Sequence, residues 1–269
     1  MTPGQRRVVV WLAALLCTAL TMRLGFWQLS RATEKRQAYD HMLMQRTQAP
    51  WRNEDWPCDP AFDAARLPFY KPVVVQGQWL VDKTVFLDNR PMDGMSGFVV
   101  VTPLLLTGGE GACRHRILLV ERGWVPRDAH DRSRLPLVPT SLAPVQLQGR
   151  VTPGLSRTYQ LGDEAMPSAQ AGPVLRQNAD VAFWRNWLGQ VPVAGAVLQV
   201  QAEAPADQVD EYADEHADVL RRHWPEPGQG QDKHLAYAAQ WFAMAAVIIG
   251  LTVWFQIIRP RRASAHVPS

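Results

Sequence analysis

The side chains best suited to chemistry lie near the C-terminus, in Lys233-His234-Leu235-Ala236-Tyr237-Ala238-Ala239-Gln240-Trp241-Phe242. This stretch leads into an uncharged run from Leu235 to Ile258. A histidine at the lip of an apolar helix can face water, bind a metal or hold a flat ligand. On an α-helix of about 3.6 residues per turn, His234, Ala238, Trp241 and Ala245 share one face, with Tyr237 one step round. The alanines would leave a shallow groove beside a stripe of rings. A planar macrocycle suits such a groove with its iron at the imidazole, because histidine is a common axial ligand of haem. Two plainer readings use the same residues. Small residues on a membrane helix pack against another helix, and Tyr and Trp at its end form an aromatic belt.

No other motif competes. There is no hydrolase elbow, Walker loop, zinc signature or dinucleotide fingerprint. His41, His115, His130, His216, His223 and His266 are scattered. Only His216 and His223 approach a ligand spacing, and no third ligand type stands near them. Gly108-Gly109-Glu110-Gly111 falls between two strand-like runs and reads as a hairpin turn. Glu203, Asp207, Asp210, Glu211, Asp214, Glu215 and Asp218 read as a solvated helix or loop rather than a metal cluster. Cys58 and Cys113 match no metal motif and read as unpaired thiols, with a bridge between them left open.

The elements that must position His234 are membrane spans. Bulk composition, 47% apolar with net charge +3 over 269 residues, describes an ordinary globular protein. It averages two apolar ends over a polar middle. A helix needs about 20 apolar residues to cross the hydrocarbon core. Residues 234–258 meet this, and residues 8–29 do so with Arg23 reaching to the far interface. No small-x-small cleavage site follows the first run, so it is expected to stay as an anchor. Arg6 and Arg7 precede the first span, and Arg259, Arg261 and Arg262 follow the second. The positive-inside rule then puts both termini, 1–7 and 259–269, in the cytoplasm and residues 30–233 outside. In a bacterium this is a multi-pass inner (plasma) membrane protein with a periplasmic loop.

The loop has its own pattern. Arg31 to Gln48 is helix-permissive and continues the first span until Pro50. Val73–Leu80, Thr84–Leu87, Phe98–Leu105, Ile117–Trp124 and Val145–Val151 read as strands, the first two within hairpin distance. Residues 174–176 and Ala196–Gln201 are further strands, and Val181–Leu188 is a short helix with Phe183, Trp184, Trp187 and Leu188 on its apolar face. Short strands separated by Gly, Pro and Asp predict a mostly antiparallel sheet or small barrel. The fold class is therefore an α+β membrane protein, two transmembrane helices flanking a β-rich periplasmic domain.

Taken in order, the motifs resemble the Surfeit locus protein 1 family of cytochrome c oxidase assembly factors. Gly25-Phe26-Trp27-Gln28-Leu29-Ser30-Arg31 with Lys35 is similar to its G-x-W-Q-x-x-R-x-x-x-K. Tyr70-Lys71-Pro72-Val73 and Gly77-Gln78-Trp79 follow, then Arg90, Gly94 and Gly97 with Thr102-Pro103-Leu104. Arg122-Gly123-Trp124-Val125-Pro126 is similar to R-G-W-V-P, and His234 to Phe242 to H-x-x-Y-A-x-x-W-F. Glu121 departs from the asparagine frequent before R-G-W, and Gln240 from the threonine frequent before the tryptophan.

The resemblance implies an assembly factor that binds haem a and assists its insertion into oxidase subunit I. The family's haem-linked histidine corresponds to His234, the expected axial ligand of the haem iron. Tyr237 and Trp241 are expected to contact the same cargo, and Trp27 and Gln28, at the outer end of the first span, to close the groove. The motif glycines Gly77, Gly94, Gly97 and Gly123 are expected to allow bends or unusual backbone angles, and Trp124 to pack in a core. Candidate partners are subunit I, haem a synthase, membrane lipid and a second copy of the chain; nucleic acid is not among them. No enzyme activity is expected. The rival readings are a scaffold that stabilises an oxidase intermediate without haem, and a membrane-anchored periplasmic enzyme, for which no polar constellation is visible.

Overall fold

The computed structural model describes residues 2–59, 61–131, 134–160, 162, 164–168, 170–205, 219–228 and 230–264. The chain forms two units, one of Met1–His41 with Pro225–Ser269 and the other Met42–Trp224.

The first unit is helical. α1 runs from Pro3 to Arg46. Proline in the first turn costs no hydrogen bond, since that amide has no partner within a helix. No further proline interrupts the chain until Pro50, so the charged segment after Ser30 continues the same helix, as its composition predicts. α3 spans Gln231–Val253 and passes through a π-helical turn, Trp254–Ile258, into the short α4, Arg259–Ser264. Both long helices have the length and composition to cross a bilayer.

The second unit is β-rich. Its strands are β1 (Pro72–Trp79), β2 (Val85–Leu87), β3 (Gly97–Leu106), β4 (Ile117–Pro126), β5 (Val145–Thr152), β6 (Val174–Arg176), β7 (Ala196–Gln199) and β8 (Ala204–Pro205). They pair in the order β1-β5-β7-β4-β3-β2-β6, and β1 also pairs with β3. That last pairing closes β1, β5, β7, β4 and β3 into a five-stranded barrel. β1 serves two neighbours by dividing its length: Pro72–Gly77 pairs with β5 and Gly77–Trp79 with β3. Gly77 sits at the change, where an added Cβ would lie 2.7 Å from Leu104 Cγ. Only glycine admits so close a strand.

Among the described residues six pairings are antiparallel, while β2–β6 and β4–β7 are parallel. β1 and β2 do not form the expected hairpin. A helical turn at Val81–Lys83 carries the chain away, and β2 pairs with β3 and β6 instead.

Inward residues at alternate positions fill the barrel: Val73, Val75 and Trp79 of β1 meet Leu104, Leu118, Val120, Leu147 and Val197. α2 (Val181–Leu188) packs Phe183, Trp184 and Trp187 on the other side of the sheet, against Val99, Val101 and Leu119. Its ends follow its sequence. The Asp180 carboxylate accepts the Phe183 N–H at 2.8 Å, and Gly189 terminates it in the left-handed region at φ 71°.

Candidate functional site

In the helical unit the first and last sequence motifs are each other's partners. Gln28 Oε1 stands 2.7 Å from His234 Nδ1. Further into the pair, Gly25 abuts the ring of Phe242, and Phe26 meets the same ring edge-on at 5.3 Å between centroids. In the other direction Gly230 approaches Lys35 and Gly228 approaches Tyr39. Contacts that descend α1 as they ascend α3 make the helices antiparallel.

The spacing of the shielded residues explains the pairing. Among them are Ala14, Thr18, Thr21, Gly25, Gln28, Ala32 and Lys35 on α1, and His234, Ala238, Trp241, Ala245, Ile248 and Thr252 on α3. Alternating steps of three and four residues form the seam of a two-helix coiled coil. The seam hydroxyls return to their own backbone: Thr21 Oγ1 donates to Cys17 O at 2.9 Å and Thr252 Oγ1 to Ile248 O at 2.7 Å. Large apolar side chains point away from the seam instead, among them Leu12, Leu16, Phe26, Val247, Ile249 and Phe255. This is the reverse of a water-soluble amphipathic pair.

The expected groove is not open. Ala238 and Ala245 are 1% and 2% exposed, because their face is the seam itself. Small residues there allow close helix approach. His234 is half-buried at the end of this seam nearest the α3 N-terminus, and Trp241 is half-buried along it. Tyr237 and Trp27 are 54% and 52% exposed, on the outward surface. The structure thus brings His234 and Gln28 together directly, sets Trp241 on the seam, and leaves Trp27 and Tyr237 facing outward. Among the described residues no group of three or more His, Cys, Asp and Glu gathers as a metal cage. His234 therefore offers an iron a single nitrogen, Nε2, with Nδ1 already engaged. One imidazole suits a macrocycle that brings four nitrogens of its own.

The remaining motif residues build the barrel unit. Trp124 is fully buried, donates its indole N–H to Arg90 O at 2.6 Å, and covers Gly97. Of the four glycines expected to adopt unusual angles, only Gly94 has a positive φ, 77°; the other three permit close approach. Arg122 is the extra residue of a β-bulge, since Val100 faces Gly123 while Val101 faces Glu121. Its guanidinium lies 4.6 Å over Trp79 and reaches both Glu203 oxygens at 3.2 Å. Glu203 is thus the half-buried partner of a buried arginine and not part of a solvated run; residues 206–218, which hold the rest of that run and His216, lie outside the described residues, as does His266.

Two features were not settled by the sequence. Cys58 and Cys113 form a disulfide, so they are not unpaired thiols. A spacing of 55 residues gives no signal of pairing; the fold supplies it, by laying the loop before β1 beside the β3–β4 connection. Arg90 is the second. It donates to Asp88 O, Ser156 O, Thr158 Oγ1 and Gln177 O at 2.6–3.0 Å, tying three loops together. Its neighbour Glu121 is buried and accepts the Ser156 N–H at 2.7 Å. Burial raises the Glu121 pKa, with that hydrogen bond and Arg90 pulling the other way; burial lowers that of Arg90, with Glu121 opposing.

Residues 15–246 match the family model of the SURF1 family. A SURF1-like protein of Drosophila melanogaster is 27% identical over 267 residues, 92% of this chain and 77% of its own length. Surfeit locus protein 1 of Arabidopsis thaliana is 30% identical over 121 residues, 43% of this chain and 33% of that protein. A SURF1-like protein of Rickettsia felis is 31% identical over 119 residues, 42% of this chain and 45% of its own length. In the last two, less than half of the relative is matched.

Proposed function

The chain belongs to the SURF1 family, and from that premise we propose that it is an assembly factor for haem–copper cytochrome c oxidase. It holds haem a at its helical pair and assists insertion of that cargo into subunit I; haem a synthase is the natural supplier. The observation that carries this reading is the position of His234. Its imidazole stands at the outer end of an apolar seam, with Nδ1 engaged and Nε2 left for a ligand. A site at a helix lip, not enclosed, suits a cargo that must be handed on. The cargo supplies the iron and four of its ligands, and the chain binds and orients it. No bond in the cargo is broken, so we assign no catalytic activity.

The two helices cross the bacterial inner membrane with both termini in the cytoplasm and the barrel unit in the periplasm. The outward apolar faces and the basic flanks support this, and so does the disulfide, since disulfides persist in oxidising compartments.

A second reading has one observation in its favour. The seam is filled, with Ala238 and Ala245 buried, so a scaffold that stabilises an oxidase intermediate without haem also fits the pair. The visible spectrum of the full-length protein, purified from cells that make haem a, separates the two. The carrier reading expects a Soret band that His234→Ala removes. A missing band, or one indifferent to that substitution, leaves the scaffold.

A further inference from the structure

The geometry points to Gln28 as a positioning residue that sets the imidazole of His234, and we infer that its amide acts on the ligand rather than on the cargo. This rests on the reading of His234 as the iron ligand.

The argument begins with hydrogen-bond polarity. An amide oxygen only accepts, so with Gln28 turning Oε1 to His234 Nδ1 at 2.7 Å the matching ring is the one that carries its proton on Nδ1. Nε2 is then the unprotonated nitrogen with the lone pair that iron needs. A histidine side chain free in water favours the opposite tautomer, with the proton on Nε2. Gln28 therefore prepares the ring before any cargo arrives. It also fixes the ring's rotation, since a histidine held by one nitrogen presents the other in one direction. Finally, it makes the ring a stronger donor: a hydrogen bond from the distal N–H pushes electron density toward the metal-binding nitrogen.

The two groups come from different helices, Gln28 from α1 and His234 from α3. The prepared state exists only when the helices are docked. One turn from Gln28, Gly25 receives the ring of Phe242 and fixes that docking. Gln28 is half-buried on the seam while Trp27, beside it, faces outward. With its acceptor oxygen committed to Nδ1, Gln28 has a structural reason to be an amide that the groove-closing role does not give it.

The test uses full-length protein in detergent micelles with ¹⁵N-labelled histidine, in wild type, Gln28→Leu and Gln28→Glu forms. Before cargo is added, nitrogen chemical shifts report the His234 tautomer. Wild type is expected to show the proton on Nδ1, and Gln28→Leu to shift the population toward Nε2–H. On titration with haem a, Gln28→Leu is expected to bind about 10–100-fold more weakly, the usual cost of losing such a partner, and to raise the haem reduction potential. Gln28→Glu has the same size and a stronger acceptor; it is expected to keep affinity and move the potential below wild type. A tautomer identical in wild type and Gln28→Leu, or equal affinity and potential in both, overturns the positioning role. If the shifts behave as expected but wild type binds no haem a, the carrier reading falls and the role of Gln28 toward iron falls with it.

Discussion

Gly25 and Phe242 interlock: a Cβ at residue 25 would lie 2.6 Å from Cε1 of the Phe242 ring and 2.8 Å from Cζ. Phe26 lies edge-on to that ring, so a methyl group at residue 25 requires the ring to shift. Gly25→Ala is expected to destabilise the helical pair on balance, an overpacking cost of about 1–3 kcal/mol set against the roughly 1 kcal/mol that alanine gains over glycine in a helix interior. Phe242→Leu in the same chain should recover most of that loss, because the two sites share one volume. Thermal unfolding of the four variants in micelles measures the coupling; strictly additive losses mean that the ring is not the obstacle.

The Cys58–Cys113 bridge closes a loop with a sequence separation of 55. By loop entropy such a bridge contributes about 4 kcal/mol. Cys58→Ser is expected to lower the stability of the barrel unit by that order, and to lower the urea midpoint of tryptophan fluorescence in the full chain. Reduction of wild type should reproduce the shift. An unchanged midpoint after confirmed reduction would mean that the loop is already fixed by other contacts, such as Arg116 Nη1 donating to Trp56 O at 2.7 Å.

These two contacts differ in how far the sequence foretold them. Continuous apolar runs marked β3 and β4, which are buried on both faces, alternation marked β5, which turns one face to the barrel, and the apolar face Phe183, Trp184, Trp187 and Leu188 marked α2. The closure of the barrel was less legible. It depends on β1 changing partners at Gly77, and a lone glycine in a strand does not say which neighbour comes close. Parallel pairing of β2 with β6 joins segments nearly ninety residues apart, beyond the reach of local pattern. At the helical pair, the stripe His234, Ala238, Trp241 and Ala245 could be read as a face but not as a seam, since one helix does not reveal what covers it. Knowing that α1 carries the same three-four spacing would have decided it.

Glu121 gives the barrel unit a dependence on pH opposite to that of an ordinary paired carboxylate. Burial raises its pKa in the folded state. Between its unfolded value, about 4.3, and that raised value, the folded chain binds more protons than the unfolded one. Its contribution is therefore fully present below the unfolded pKa and is lost as pH rises through the folded pKa. Glu121→Gln keeps an oxygen for the Ser156 N–H but removes the buried charge. The stability of Glu121→Gln relative to wild type is expected to grow as pH is raised from about 4 toward neutrality. Urea denaturation across that range reads the difference, and a gap that stays constant with pH would show that Arg90 fully compensates the charge.

Cys17 tests the membrane reading from inside the first span. Its side chain is exposed on α1 and it is not part of the disulfide. In water such a thiol reacts readily with maleimides through its thiolate. A charged reagent does not enter hydrocarbon, since unpaired charge is expelled from a low-dielectric medium. A membrane-impermeant maleimide is expected to leave Cys17 unlabelled in intact and in broken membranes alike, and to label it fully once the protein is unfolded in SDS. As a control, single cysteines at Ser141, between β4 and β5, and at Ser264, at the end of α4, should label in opposite compartments: Ser141→Cys from the periplasm, Ser264→Cys only after the membrane is broken. Rapid labelling of Cys17 in native membranes would mean that the outward face of α1 meets water, and the exposed Leu12, Leu16 and Leu20 around it would then require a protein partner instead of lipid.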